Sequence, residues 1–303
     1  MPDTSPQTIK GIFFACLSTS LGGMTVALTR LIIHDTGPLS LAFIRYGLGA
    51  VVLLGIFYLV QKRQFPKMPG RDMIILAVIG IVMFASFPYF MARALEDTTA
   101  ARGALVFTTL PLISMVLGAI FGIERLSGMK MIAVVVAIAG TTLALSERIE
   151  DIAPNAFRGD LYMLAGTMGA ASFNVFARKS LQTYGNMPVL LYTMFIGITV
   201  LFGLALVYEA PLSGSLDFDA MGWFVVFMLG VPGAALMMFT WSRALQLITP
   251  TQATITVGLN PLTAILLGAV LLSEPITLHV LGGFILVVLA VILAHVRPPR
   301  VTG

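Results

Sequence analysis

Apolar residues fill this chain in runs of about 20, the length a helix needs to cross a hydrocarbon core of roughly 30 Å. Short polar or charged breaks separate the runs. The pattern predicts ten helical spans, at approximately 11–30, 38–60, 72–94, 98–121, 128–146, 157–178, 187–208, 219–243, 250–272 and 276–296. No break is long enough to hold a soluble domain, so whatever the protein does is done by the spans. Only Lys10 precedes the first run as a basic residue, and Gly11–Leu28 lacks an A-x-A cleavage pattern. That run therefore reads as a retained span rather than a signal peptide.

The second half of the pattern repeats the first at an offset of 150 residues. Arg93-Ala94-Leu95 recurs as Arg243-Ala244-Leu245, Pro111-Leu112 as Pro261-Leu262, Gly118-Ala119 as Gly268-Ala269, Glu124 as Glu274 and Leu143-Ala144 as Leu293-Ala294. Pro38, Gly47 and Gly80 find Pro188, Gly197 and Gly230 at the same spacing. An offset held over such a length marks a duplication. The expected fold is thus an all-α polytopic membrane protein of two five-helix repeats, 1–148 and 149–303, joined at Ser146–Arg158. Five is odd, so the copies lie in the membrane in opposite orientations. Inverted repeats of this kind build secondary transporters, with a substrate site near the midplane where the repeats meet.

Composition agrees: the 303 residues are 58% hydrophobic and only 11% charged, and the mean hydropathy is +0.96. Soluble domains carry roughly 25% charged residues. The net charge of +4 comes from basic residues scattered singly over loops, which gives no nucleic-acid surface. Lys and Arg fall twelve to five between the two sets of span ends, with Arg45 alone inside a span. Positive residues favour the cytoplasm, so both termini are expected there, in a cytoplasmic (inner) membrane. The opposite loops carry Glu147, Glu150, Asp151, Glu209, Asp217 and Asp219. The one cysteine, Cys16, lies in an apolar run and packs as a small hydrophobe.

Ala92-Arg93-Ala94-Leu95 leading to Thr109-Leu110-Pro111-Leu112 and Glu124-Arg125, with its copy Ser242-Arg243-Ala244-Leu245, Leu259-Asn260-Pro261-Leu262 and Ser273-Glu274-Pro275, resembles the EamA type of the drug/metabolite transporter superfamily. The resemblance covers nearly the whole chain. It implies an exporter-like carrier of amino acids or other small metabolites with a cavity between the halves.

Few residues have the chemistry to hold a substrate. A charge near the bilayer centre costs at least about 2.5 kcal/mol on insertion scales, so Arg45 needs a pocket, a partner or water. Either it faces the cavity and attracts a carboxylate, or it snorkels and bonds helix-end carbonyls. Its repeat mate is Phe195. Pro111 and Pro261, in mid-span at equivalent positions, each free a carbonyl four residues upstream, which transporters tolerate beside a cavity. Thr108, Thr109, Thr256 and Asn260 supply polar groups next to these kinks, as ligands or merely as caps. Pro88 and Pro232 are further hinge candidates but not repeat mates. Asn174 and Asn260 are the Asn residues in apolar runs, able to bind substrate or to glue helices. Tyr89 is a candidate aromatic gate, and Trp241 lies in the eighth span. Arg93 with Glu274, and Arg243 with Glu124, could latch the two faces across the repeats, or all four could anchor helix ends in the headgroups.

No Asp or Glu lies in the interior of a span, which disfavours proton-coupled efflux of cationic drugs and favours a neutral or zwitterionic substrate. The three histidines, His34, His279 and His295, sit at span ends, and no helical face offers a pair of metal ligands. No metal or cofactor is implied. An enzyme is disfavoured because no embedded nucleophile-base or paired-carboxylate constellation exists. The expectation is a carrier of small metabolites, amino acids foremost, working by alternating access as a monomer or weak dimer in the lipid bilayer. Efflux of amphipathic drugs is the alternative, suggested by 17 Met and 20 Phe residues.

Overall fold

The computed structural model describes residues 5–29, 32, 36–60, 65–97, 100–146, 156–209, 211, 217–272 and 277–294. Among the described residues the regular structure is helical throughout, with no strand. Ten helical segments follow the apolar runs: α1 (Pro6–Thr29), α2 (38–60), α3 (Gly70–Asp97), α4 (100–120), α5 (Gly128–Leu145), α6 (Ala156–Tyr184), α7 (Asn186–Tyr208), α8 (Ala220–Leu247), α9 (250–272) and α10 (Leu278–Ala294). Seven are long and apolar enough by themselves to cross a membrane. The other three are α6, which is more polar, α9, which is broken, and α10, which at 17 residues is one residue shorter than the 18 of α5.

Proline and short polar residues set the helix starts. Pro38 opens α2 with its missing N–H at a position that has no intrahelical partner to lose. Asp219 caps α8 by accepting from Gly222 N at 2.7 Å. Thr249 and Gln252 form a reciprocal capping box ahead of α9, again with proline in the first turn. Gly122, at φ 65°, reverses the chain after α4, so that Ile123 N and Glu124 N both return to Gly118 O at 2.8 and 2.9 Å. Only glycine takes that conformation without strain, and it folds Glu124 back onto the end of its own helix.

The duplication is visible in the irregularities. A π-helical stretch at Val82–Ser86 interrupts α3, and another at Val231–Leu236 interrupts α8. These occupy the same place in the two repeats although Pro88 and Pro232 do not. Likewise α4 breaks at Thr108–Thr109 and α9 tightens into a 3₁₀ turn at Thr256–Gly258, each just before the Leu-x-Pro or Leu-Pro start of its second half. The carbonyls that Pro111 and Pro261 were expected to free, of residues 107 and 257, lie next to the first break and within the second.

Packing follows the same two-fold relation. Helix α1 lies against the second half of α8 and against α9, while α6 lies against the second half of α3 and against α4. Helix α2 packs on α7 and α8, α7 on α3, the second half of α4 on the start of α9, and α5 on α10. One core cluster therefore runs through both repeats, from Ala15, Tyr46 and Phe84 to Phe173, Met194 and Trp241. Small residues permit the closest approaches. A Cβ on Gly23 would fall 2.4 Å from Asn260 O, and one on Gly169 would fall 3.0 Å from Val82 Cγ1 in the π stretch of α3.

Candidate functional site

The inward-facing chemistry concentrates where α1, α2, α8 and α9 meet. Arg45, about two turns into α2, is partly buried and donates through Nη2 to Gly233 O at 2.9 Å, with Met237 Sδ at 3.8 Å. Its guanidinium carbon stands 5.0 Å from the centroid of the Tyr46 ring. The acceptor belongs to the π stretch of α8, so the charge bridges the repeats by reaching into an irregular segment of the other one. The carbonyl that Arg45 meets lies in mid-helix and not at a helix end. Its Nε is buried with no partner among the described residues, so one donor of the fork is unsatisfied.

One turn of α1 joins Arg45 to the kink of α9. Thr25 Oγ1 donates to Gly22 O at 2.7 Å. A Cβ on Gly233 would lie 2.5 Å from Thr25 Cγ2, and one on Gly22 would lie 2.8 Å from Asn260 Nδ2. Gly22 thus gives way to the Asn260 carboxamide, which no hydrogen bond engages among the described residues. A turn earlier, Ser18 Oγ donates to Met237 O at 2.8 Å. Arg45 and Asn260 consequently flank the same turn of α1, next to both helix irregularities of the second repeat. Their repeat mates are Phe195 and Leu110, so the corresponding junction in the other half is apolar.

The remaining candidates are placed elsewhere. Thr108 and Thr256 are buried, and their hydroxyls donate at 2.7 Å to Leu105 O and Ala253 O of their own helices. Thr109 does the same to Val106 O. These hydroxyls meet carbonyls three residues back on their own helices, not those of residues 107 and 257 that the prolines leave without a partner. Asn174, 2% exposed, accepts from Trp241 Nε1 at 2.8 Å, which ties α6 to α8 inside the core and is a gluing role. Tyr89 sits farther out, its ring 5.5 Å from that of Tyr208. Together with Leu39, Ala92, Arg93, Glu96 and Glu209 it lines a recess of about 90 Å³ between the repeats.

The expected latches take different partners. Glu124 does not meet Arg243. It accepts from Lys130 Nζ, from Thr251 Oγ1 at 2.9 Å and from Thr251 N at 3.2 Å. Arg243 instead donates to Gln246 Oε1 at 2.6 Å, and Arg93 to Glu96 Oε2 at 2.6 Å within its own helix. Glu274 lies outside the described residues. Two cross-repeat contacts that the sequence pattern did not suggest close the other face. Asp97, at the end of α3, accepts from Nε and Nη2 of Arg158 at 2.7 and 2.6 Å. Glu209, at the end of α7, caps α2 by accepting from Leu39 N at 2.8 Å and from Ser40 N and Oγ at 2.7 and 2.9 Å. An acid beside Gly37-Pro38-Leu39-Ser40, a helix start without a side-chain cap of its own, was the available signal.

Among the described residues the chain is a bundle of helices whose two halves are interrupted at corresponding positions, with seven helices long and apolar enough to cross a membrane. The chain belongs to the EamA-like transporter family, whose profile matches it twice, at residues 9–146 and 157–296. It is 25% identical over 285 residues, 92% of each chain, to the uncharacterized transporter YyaM of Bacillus subtilis. It is 24% identical over 259 residues, 84% of this chain and 80% of the relative, to the uncharacterized inner membrane transporter YedA of Escherichia coli K12. A solved crystal structure of a protein 18% identical in sequence superposes with a TM-score of 0.81 over 99% of both chains, which supports the fold.

Proposed function

We propose that the chain exports small metabolites, amino acids foremost, across the cytoplasmic membrane by alternating access, with the substrate carboxylate taken by Arg45. The observation that carries this reading is the Arg45 side chain. It is a permanently charged, forked donor, placed at the repeat junction with one buried N–H unpartnered and one held by a backbone carbonyl. A carboxylate is a stronger acceptor for that fork than a carbonyl, so a substrate anion can displace Gly233 O. Asn260, on the far side of the Gly22–Thr25 turn, offers an acceptor and two donors to the rest of a zwitterion.

The apolar mates Phe195 and Leu110 favour a substrate with one polar end and an uncharged remainder. With no carboxylate in the interior of a span, the simplest coupling is movement down the substrate's own gradient. The test is counterflow of a panel of labelled amino acids in proteoliposomes, with and without an imposed pH gradient. Accumulation of a subset of amino acids, competed by their unlabelled forms, is the expected result. A panel that is inert while amphipathic dyes are moved would replace this reading with drug efflux.

A further inference from the structure

We propose that Glu124 is a one-sided gate latch, holding the start of α9 shut against the α4–α5 turn on the face that carries the chain ends. Its side chain is 2% exposed, the most enclosed carboxylate of the ion pairs described. Three donors converge on it: Lys130 from α5, and the backbone N–H and hydroxyl of Thr251 from the first turn of α9.

The latch grips a movable piece. The first half of α9, Pro250–Ile255, is separated from the second by the 3₁₀ turn at Thr256–Gly258. It packs on the second half of α4, which is itself cut off by the break at Thr108–Thr109. Releasing Glu124 frees one short helical arm of each repeat, both hinged at the depth of the Pro111 and Pro261 kinks. Lys130 also reaches Thr249 Oγ1 at 3.4 Å, and Arg178 of α6 holds the preceding turn through Leu245 O and Ile248 O, each at 3.2 Å. Glu124, with Lys130 beside it, is therefore how the first repeat grips an arm that the second repeat has already positioned.

The sequence makes the device asymmetric. Glu124 has a mate in Glu274, but Lys130 corresponds to Val280 and Thr251 to Ala101, neither with a side-chain donor. Asp97 and Arg158 bridge the repeats on the opposite face, and the mate of Asp97 is Leu247. Two unlike latches give each face its own closing contact, so one can be released while the other stays shut, as alternating access requires. The inference rests on that mode of transport but not on any substrate.

The test is the separation of spin labels at Leu126 and Arg243, both exposed, in full-length protein carrying Cys16→Ser and reconstituted in lipid without substrate. Glu124→Gln should raise the long-distance population roughly tenfold, the shift expected for losing one charged hydrogen bond. Thr251→Val and Lys130→Met should raise it less, and Asp97→Asn should not raise it at all. An unchanged distribution in folded Glu124→Gln overturns the proposal, as does an equal rise in Asp97→Asn. If Glu124→Gln does not fold, the other two variants carry the test. Failure of all three to accumulate assigns the cluster to folding alone and likewise overturns it. A substrate panel that proves inert leaves these distances unaffected.

Discussion

Replacing Gly197 with alanine tests the packing between α3 and α7 with a single methyl. A Cβ at Gly197 would stand 2.4 Å from Gly80 O and 2.5 Å from Phe84 Cβ. Ordinary close C···O contacts begin near about 3.3 Å, so α7 must withdraw by about 0.9 Å or the backbone of α3 must give. Both helices are core elements, with Leu190, Met194 and Leu201 on one and Leu76 and Phe84 on the other fully buried. Withdrawal therefore opens contacts on several sides. Overpacking of this kind costs about 1–3 kcal/mol. The helix propensity of alanine over glycine acts in the opposite sense by up to about 1 kcal/mol.

Gly203→Ala provides the subtraction, because it lies on the same helix with nothing within 4 Å of its Cβ. The measurement is reversible unfolding of both variants in mixed micelles. Gly197→Ala should be less stable than Gly203→Ala by about 1–3 kcal/mol, and equal stability would refute the close helix approach. The mate sites give a graded check. Gly80→Ala meets backbone, Thr193 O at 2.6 Å and Cα at 2.9 Å, whereas Gly230→Ala meets the Leu48 side chain along its length, Cδ2 at 2.5 Å, Cγ at 2.8 Å and Cβ at 2.9 Å, so the first should be the more damaging.

Three further outcomes follow. Trp241→Phe strands the buried Asn174 oxygen and should lower stability by about 1–3 kcal/mol while leaving apparent affinity for substrate unchanged; a specific affinity loss would return Asn174 to the binding site. Reporter fusions at Gly303 should be active only on the cytoplasmic side, and those near Asn155 only on the other. The reverse pattern would contradict the orientation inferred from basic residues. Transport in proteoliposomes should persist without a proton or sodium gradient, and strict dependence on an imposed pH gradient would point to a proton carrier, with Glu124 the first suspect.

The spans, their number and the duplication were legible because hydrophobic run length and a fixed offset survive in sequence without any tertiary information. The paired breaks at Thr108–Thr109 and Thr256–Gly258 were legible through Pro111 and Pro261. The matching π stretches were not, since they fall at equivalent places through tertiary packing while Pro88 and Pro232 do not. The site divides in the same way. Arg45 stood out as a lone charge in an apolar run, but which carbonyl meets it depends on how α8 bulges at Gly233. Asn174 and Asn260 looked alike in sequence. Only their neighbours, Trp241 for one and Gly22 for the other, separate a structural amide from an available one. Glu124 was flagged by its repeat, yet its partner came from the capping turn of α9 rather than from the conspicuous Arg243.

The central claim, that Arg45 receives a substrate carboxylate, is tested most directly by transport kinetics of Arg45→Ala and Arg45→Lys with paired acids and amides of the same side chain. A charge-assisted hydrogen bond contributes roughly 1.5–3 kcal/mol, so Arg45→Ala should weaken the acids tenfold or more while sparing the amides, and Arg45→Lys should recover part of the loss. Equal loss for acids and amides, or a lysine variant that restores protein level alone, would contradict the account and leave Arg45 as an anchor to Gly233.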